Sequence, residues 1–109
     1  MRRNVEVAPD ADGIRLIMCT GVFDYDTLGP LRAAGAAAAA DPAVRQIALD
    51  LTGVTLADSS MLSELLFLLR TGRLVLVGHV PQALDWMFDL TGVRELFPLA
   101  GRDDVARAV

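Results

Sequence analysis

The stretch 47-IALDLTGVTLADSSMLSELLFLLR-70 decides the fold. Its first part puts Ile47, Leu49 and Leu51 on one face of a strand, because alternate residues of a strand point the same way. Thr52-Gly53 reads as a turn. Asp58-Ser59-Ser60 then opens a helix from about Ser60 to Arg70, with an inner face of Met61, Leu62, Leu65, Leu66 and Leu69 at helical spacing. One serine suffices as a cap, and Asp58 favours the positive end of the helix. Two serines therefore leave one whose role capping does not explain. Backbone N–H groups at a helix start also accommodate phosphate, so a serine there tolerates phosphorylation without unfolding the domain.

Working outward, 4-NVEVAPDADGIRLIMCTG-21 reads as two strands joined by the turn Pro9–Gly13. The second, Ile14 to Thr20, is apolar on both faces apart from Arg15, as an interior strand would be. A helix follows, capped by Asp26 or Thr27, with Pro30 in its first turn and Asp41-Pro42 at its end. Its alanine run, 36–40, is strongly helix-forming and small enough for close packing on a sheet. After the central stretch come the buried strand 73-RLVLVG-78 and a helix from Pro81 to Gly92. An edge strand in 95-ELFPL-99 and a short helix in 101-GRDDVARAV-109 complete the chain. Strands alternating with helices after a hairpin give an α/β domain with a mixed sheet, expected to span residues 1–109.

Composition narrows the function. The chain has 109 residues, 53% of them hydrophobic, enough for a real core. Its net charge is −4 and its ten basic residues, all arginine, are scattered, which argues against nucleic acid. The longest apolar runs fall short of the roughly 20 residues that span a bilayer, and no signal segment follows Met1-Arg2-Arg3. A soluble cytoplasmic protein without a membrane role is expected. Cys19 is the single cysteine and sits in an apolar stretch, so a buried, unreactive thiol is expected. With no lysine there is no P-loop, and one histidine, His79, makes a metal site improbable; no cofactor is expected. A hydrolase using Ser59 would have His79 as its only base and lacks a G-x-S-x-G elbow. Leu84, Met87 and Phe88 share a helical face, leaving Trp86 on a flank, either against the C-terminal helix or exposed as an interface anchor.

The whole chain resembles a STAS domain, the family of bacterial anti-sigma factor antagonists and related modules. "CTGVFDYDT" is similar to the family's G-E-L-D-x-x-T segment, "IALDLTGVTLADSS" to its strand with D-S-S-G, and "MFDLTGVRELFPL" to its F-x-x-x-G-L segment. The resemblance implies a mixed four- to five-stranded sheet with helices packed mainly on one face. It also implies that Ser59 is phosphorylated by an anti-sigma factor that is a serine kinase, with a phosphatase resetting the switch. On that reading the unphosphorylated protein holds the kinase and phosphorylation releases it. Asp24, Asp58, Thr27 and Ser60 then surround the site and take part in partner binding. Met61 stands where the family has glycine, which puts a bulky apolar side chain at the rim of the interface. Val22 replaces an acidic residue, and the short "LLRTGRL" connection ends the switch helix near Thr71-Gly72. The alternatives are a non-switching STAS module of a stress-signalling scaffold or a lipid-transport complex. Homodimer formation through a strand edge or Trp86 is left open.

Overall fold

The computed structural model describes residues 4–100. The short helix expected in residues 101–109 lies outside that range. Five strands form one mixed sheet in the order β1-β2-β3-β4-β5: Val5–Val7, Ile14–Phe23, Gln46–Ala57, Leu74–Val77 and Leu99–Ala100. β1 is antiparallel to β2, and every later pairing is parallel. Helices α1 (Gly29–Ala40), α2 (Ser59–Leu69) and α3 (Gln82–Thr91) form the connections between the parallel strands. Each crossover steps the same way across the sheet, so connections of one hand place all three helices on one face.

That face holds the main core. Ile17, Cys19, Ile47, Leu49, Leu51, Leu74 and Leu76 from the strands meet Leu31, Met61, Leu65, Leu68, Leu84 and Phe88 from the helices. The inner face of α2 follows its helical spacing, with Leu68 rather than Leu66 or Leu69 fully buried. Helices α1 and α2 come close at Gly35, where a Cβ would sit 3.1 Å from Leu68. The small-residue stretch thus serves helix–helix contact as well as contact with the sheet. Ala48, Val75 and Val77 are buried on the opposite face.

Three local expectations change. The Thr52-Gly53 turn is absent, because β3 runs straight through it to Ala57. Its partners on β2 jump from Met18↔Asp50 to Thr20↔Gly53, and again from Gly21↔Val54 to Val22↔Leu56. The turn-like residues are bulges, extra residues absorbed within a ladder. The first helix starts at Gly29, later than expected, since the Thr27 hydroxyl is engaged in the preceding loop. The edge strand expected in 95–99 is present but later and shorter, as β5 (Leu99–Ala100) at the sheet edge, with a 3₁₀ turn, Arg94–Leu96, before it. Phe97, between them, stacks on Phe88 with ring centres 4.8 Å apart. Gly92 ends α3 in the left-handed conformation (φ 70°), as expected of a glycine just past a helix.

Candidate functional site

The site lies where β2 and β3 end. Phe23 and Ala57 are register partners, so Asp24 and Asp58 leave neighbouring strands side by side. The Asp58 N–H donates to the Phe23 carbonyl at 3.1 Å, tying the two exits together.

On the β2 side the chain makes a tight polar turn. One carboxylate oxygen of Asp24 accepts from the N–H groups of Asp26 (2.9 Å) and Thr27 (3.0 Å). The Thr27 hydroxyl accepts from the Asp24 N–H and donates to the Val22 carbonyl, both at 2.9 Å. Asn4 donates its side-chain amide to the Thr27 carbonyl at 3.0 Å, anchoring this turn to the start of the described chain. Asp24 and Thr27 therefore hold the loop in shape, which leaves Tyr25 exposed at its tip.

On the β3 side Asp58, not a serine, caps α2. Its extended backbone sets the entry, and its carboxylate accepts from the Ser60 N–H at 2.8 Å. Aspartate is as good an N-cap as serine, and here it comes first in the chain. Ser59 becomes the first helical residue and is exposed; its hydroxyl has no partner among the described residues. Ser60, half-buried, is the second. Met61 is fully buried in the main core, so it supports the helix from beneath and does not form a rim. Its position in the inward helical stripe decides this.

The structure brings Asp24, Thr27, Asp58, Ser59 and Ser60 to one end of the sheet. His79 is exposed in the loop after β4 and hydrogen-bonds neither serine. Cys19 is buried, and loss of hydration, with the Asp50 charge nearby, pushes its thiol up to about 12, so it is inert as a nucleophile. Among the described residues no cluster of His, Cys, Asp and Glu fits a metal ion, and no helix is long and apolar enough to cross a membrane.

Two features escaped sequence reasoning. The first is Asp58 as the cap, whose signal was an aspartate standing directly before the serines. The second is a groove of about 420 Å³ between the end of β3 and the start of α3, lined by Val54, Thr55, Pro81, Gln82, Ala83 and Trp86. It depends on β3 outrunning β4, which no local pattern signals.

A family model described as "Mlab, STAS domain" matches residues 7–99, and the chain belongs to the STAS domain family. Among solved structures, it is similar to an anti-sigma factor antagonist from Mycobacterium paratuberculosis. The identity is 27% and the TM-score 0.79, over 96% of this chain and 92% of that one. It also shares its fold with the antagonist SpoIIAA in its unphosphorylated form, at 18% identity and TM-score 0.76 over 96% and 97% of the two chains. The phosphorylated form of the Bacillus protein aligns at 18% identity and TM-score 0.73, over 94% and 96%. No curated protein sequence matches the chain.

Proposed function

We propose that this STAS domain is an anti-sigma factor antagonist, a binding protein and not an enzyme, switched by phosphorylation of Ser59. The observation that carries the reading is the division of labour at the start of α2. Asp58 takes the capping role, which leaves the Ser59 hydroxyl exposed and without a partner among the described residues. The similarity to a mycobacterial antagonist over nearly the full chain supports the partner class. That a protein of the same fold is known in phosphorylated and unphosphorylated forms supports the switch.

The unmodified protein binds an anti-sigma factor that is also a serine kinase, through Asp24, Thr27, Asp58 and Ser60. Transfer of phosphate to the Ser59 oxygen adds about −1.5 to −2 charges beside Asp58. The new group competes with the Asp58 carboxylate for the N–H groups at the helix start and repels a surface matched to the neutral form. A hundredfold loss of affinity requires only about 2.8 kcal/mol. A phosphatase restores the binding form, and the cycle takes place in the cytoplasm.

Incubation with a serine-kinase anti-sigma factor from the same genome and ATP, followed by mass spectrometry, tests the site. Phosphate on Ser59 is expected. Phosphate confined to Ser60, or none with any such kinase, removes the assignment.

The match to a STAS family model is equally met by a second reading, a non-switching STAS module of a lipid-transport complex. Transporter genes beside this one, and a transporter subunit as the protein recovered with it, would select that reading.

A further inference from the structure

β3 is twelve residues long and β4 only four. Their pairing ends at Asp50↔Val77, after which the chain leaves β4 for α3. From Val54 onward, among the described residues, β3 is paired on its β2 side only. An unpaired strand edge is a ready template for another chain. The groove between this edge and the start of α3 is lined by Val54, Pro81 and Trp86 among others. Trp86 is 64% exposed, an unusual position for the largest side chain of a small domain. Leu90, one turn further along α3, is equally exposed and extends the apolar strip.

The charges at this end of the sheet limit what fits the groove. Asp24, Asp26 and Asp58 lie at the same end of the sheet, and none is ion-paired to an arginine among the described residues. Asp85 and Asp89 of α3 are both held by Arg94. A second copy presenting this end would meet like charge, whereas a basic partner would be attracted.

We infer that this groove is the anchoring half of the antagonist's interface. It receives an extended segment of the anti-sigma factor, with an apolar side chain against Trp86 and basic residues directed toward Asp24, Asp26 and Asp58. The inference rests on the antagonist reading. The segment adds to the β3 edge by main-chain hydrogen bonds, and the aromatic contact selects its sequence. Ser59, four residues beyond Thr55, then lies beside the bound segment, where added phosphate repels it or displaces its basic residues' register.

Trp86 is the only tryptophan in the chain, so its own fluorescence reports the groove. The probe is a serine-kinase anti-sigma factor from the same genome with its tryptophans replaced by phenylalanine. On complex formation, Trp86 emission is expected to shift to the blue and acrylamide quenching to fall. Trp86→Ala is expected to weaken the complex about 30-fold, the scale of an aromatic hot spot. Gln82→Arg, an exposed site on the groove, is expected to weaken it several-fold, more so at low salt. Both variants should keep the wild-type unfolding midpoint. A complex that forms with Trp86 quenching unchanged, and with Trp86→Ala affinity within twofold, overturns the groove but leaves the antagonist reading intact. No complex with any such kinase overturns both. Protection of Trp86 that grows with the concentration of the protein alone identifies a second copy as the occupant and also overturns the inference.

Discussion

The two ends of the parallel sheet are built on opposite rules. At the end where β2 and β3 begin, charge is consumed internally. Arg15 bridges Asp10 at 2.8 Å and Asp41 at 2.9 Å, and Arg45 donates to the Asp12 carbonyl at 2.6 Å. Arg73 reaches across to the C-terminus of α1, donating to the carbonyls of Ala39 at 2.6 Å and Val44 at 2.7 Å. All three helices end here, so these arginines also complement the negative ends of the helix dipoles. At the other end, where the helices start, Asp24 and Asp58 are used as turn and cap acceptors and pair with no arginine among the described residues. Tyr25, Leu56 and Trp86 are exposed there. The first end is satisfied by its own chain and stabilises the fold. The second carries charge and apolar surface that the fold itself leaves unused, which is what a partner surface requires.

Substitutions test whether stability and binding divide between the ends in this way. The largest stability effect is expected at the closed end. Arg73→Ala removes charge-assisted hydrogen bonds to several carbonyls and should cost about 2–3 kcal/mol, read from urea unfolding, with partner affinity unchanged. Asp58→Ala removes only a cap and should cost about 1 kcal/mol, while weakening the partner complex. The double variant should show the sum of the two losses, because the sites share no contacts. A large coupling between them would mean that the two ends are not independent. Ser59→Ala should move stability by less than about 0.5 kcal/mol, since the hydroxyl is exposed and has no partner among the described residues, and should abolish release of the kinase by ATP.

The smallest effect lies between the ends, on the face of α2 turned to α1. Burial raises the Glu64 carboxyl above its ordinary value, and Arg32, 3.9 Å away, offsets this only in part. The folded state therefore favours the protonated form. That contribution is fully present below the ordinary carboxylate value and is lost as pH rises through the raised one. Glu64→Gln should thus be slightly more stable than wild type at pH 7, by under about 0.5 kcal/mol, and the gain should vanish near pH 4. Urea curves at the two pH values check the sign.

How far these features were legible in the sequence follows from how local their causes are. The strand-to-helix passage from Ile47 to Leu69 was legible because alternation and helical spacing are carried by the residues themselves. The spacing also placed Met61 on the inner face, and this outweighs the resemblance that put it at the interface rim. Thr52-Gly53 misled because threonine and glycine suit a bulge as well as a turn, and only the neighbouring strand decides between them. The edge strand expected in 95–99 was right in kind but starts only at Leu99, because Phe97 is fixed by Phe88, a contact that strand propensity does not encode. Asp24 and Asp58 were named together through the family resemblance, and the structure places them side by side because the ends of β2 and β3 are paired. The groove was not, because it depends on the unequal lengths of β3 and β4.

The central claim is that one phosphate at Ser59 converts a binding surface into a repelling one without disturbing the fold. Its most direct test is calorimetric titration of a serine-kinase anti-sigma factor with the unmodified protein and with its Ser59-phosphorylated form. The unmodified protein should bind about 100-fold more tightly, a difference of about 2.8 kcal/mol, with both forms sharing one unfolding midpoint. Equal affinities, or a loss of binding accompanied by a fall in stability, would contradict it.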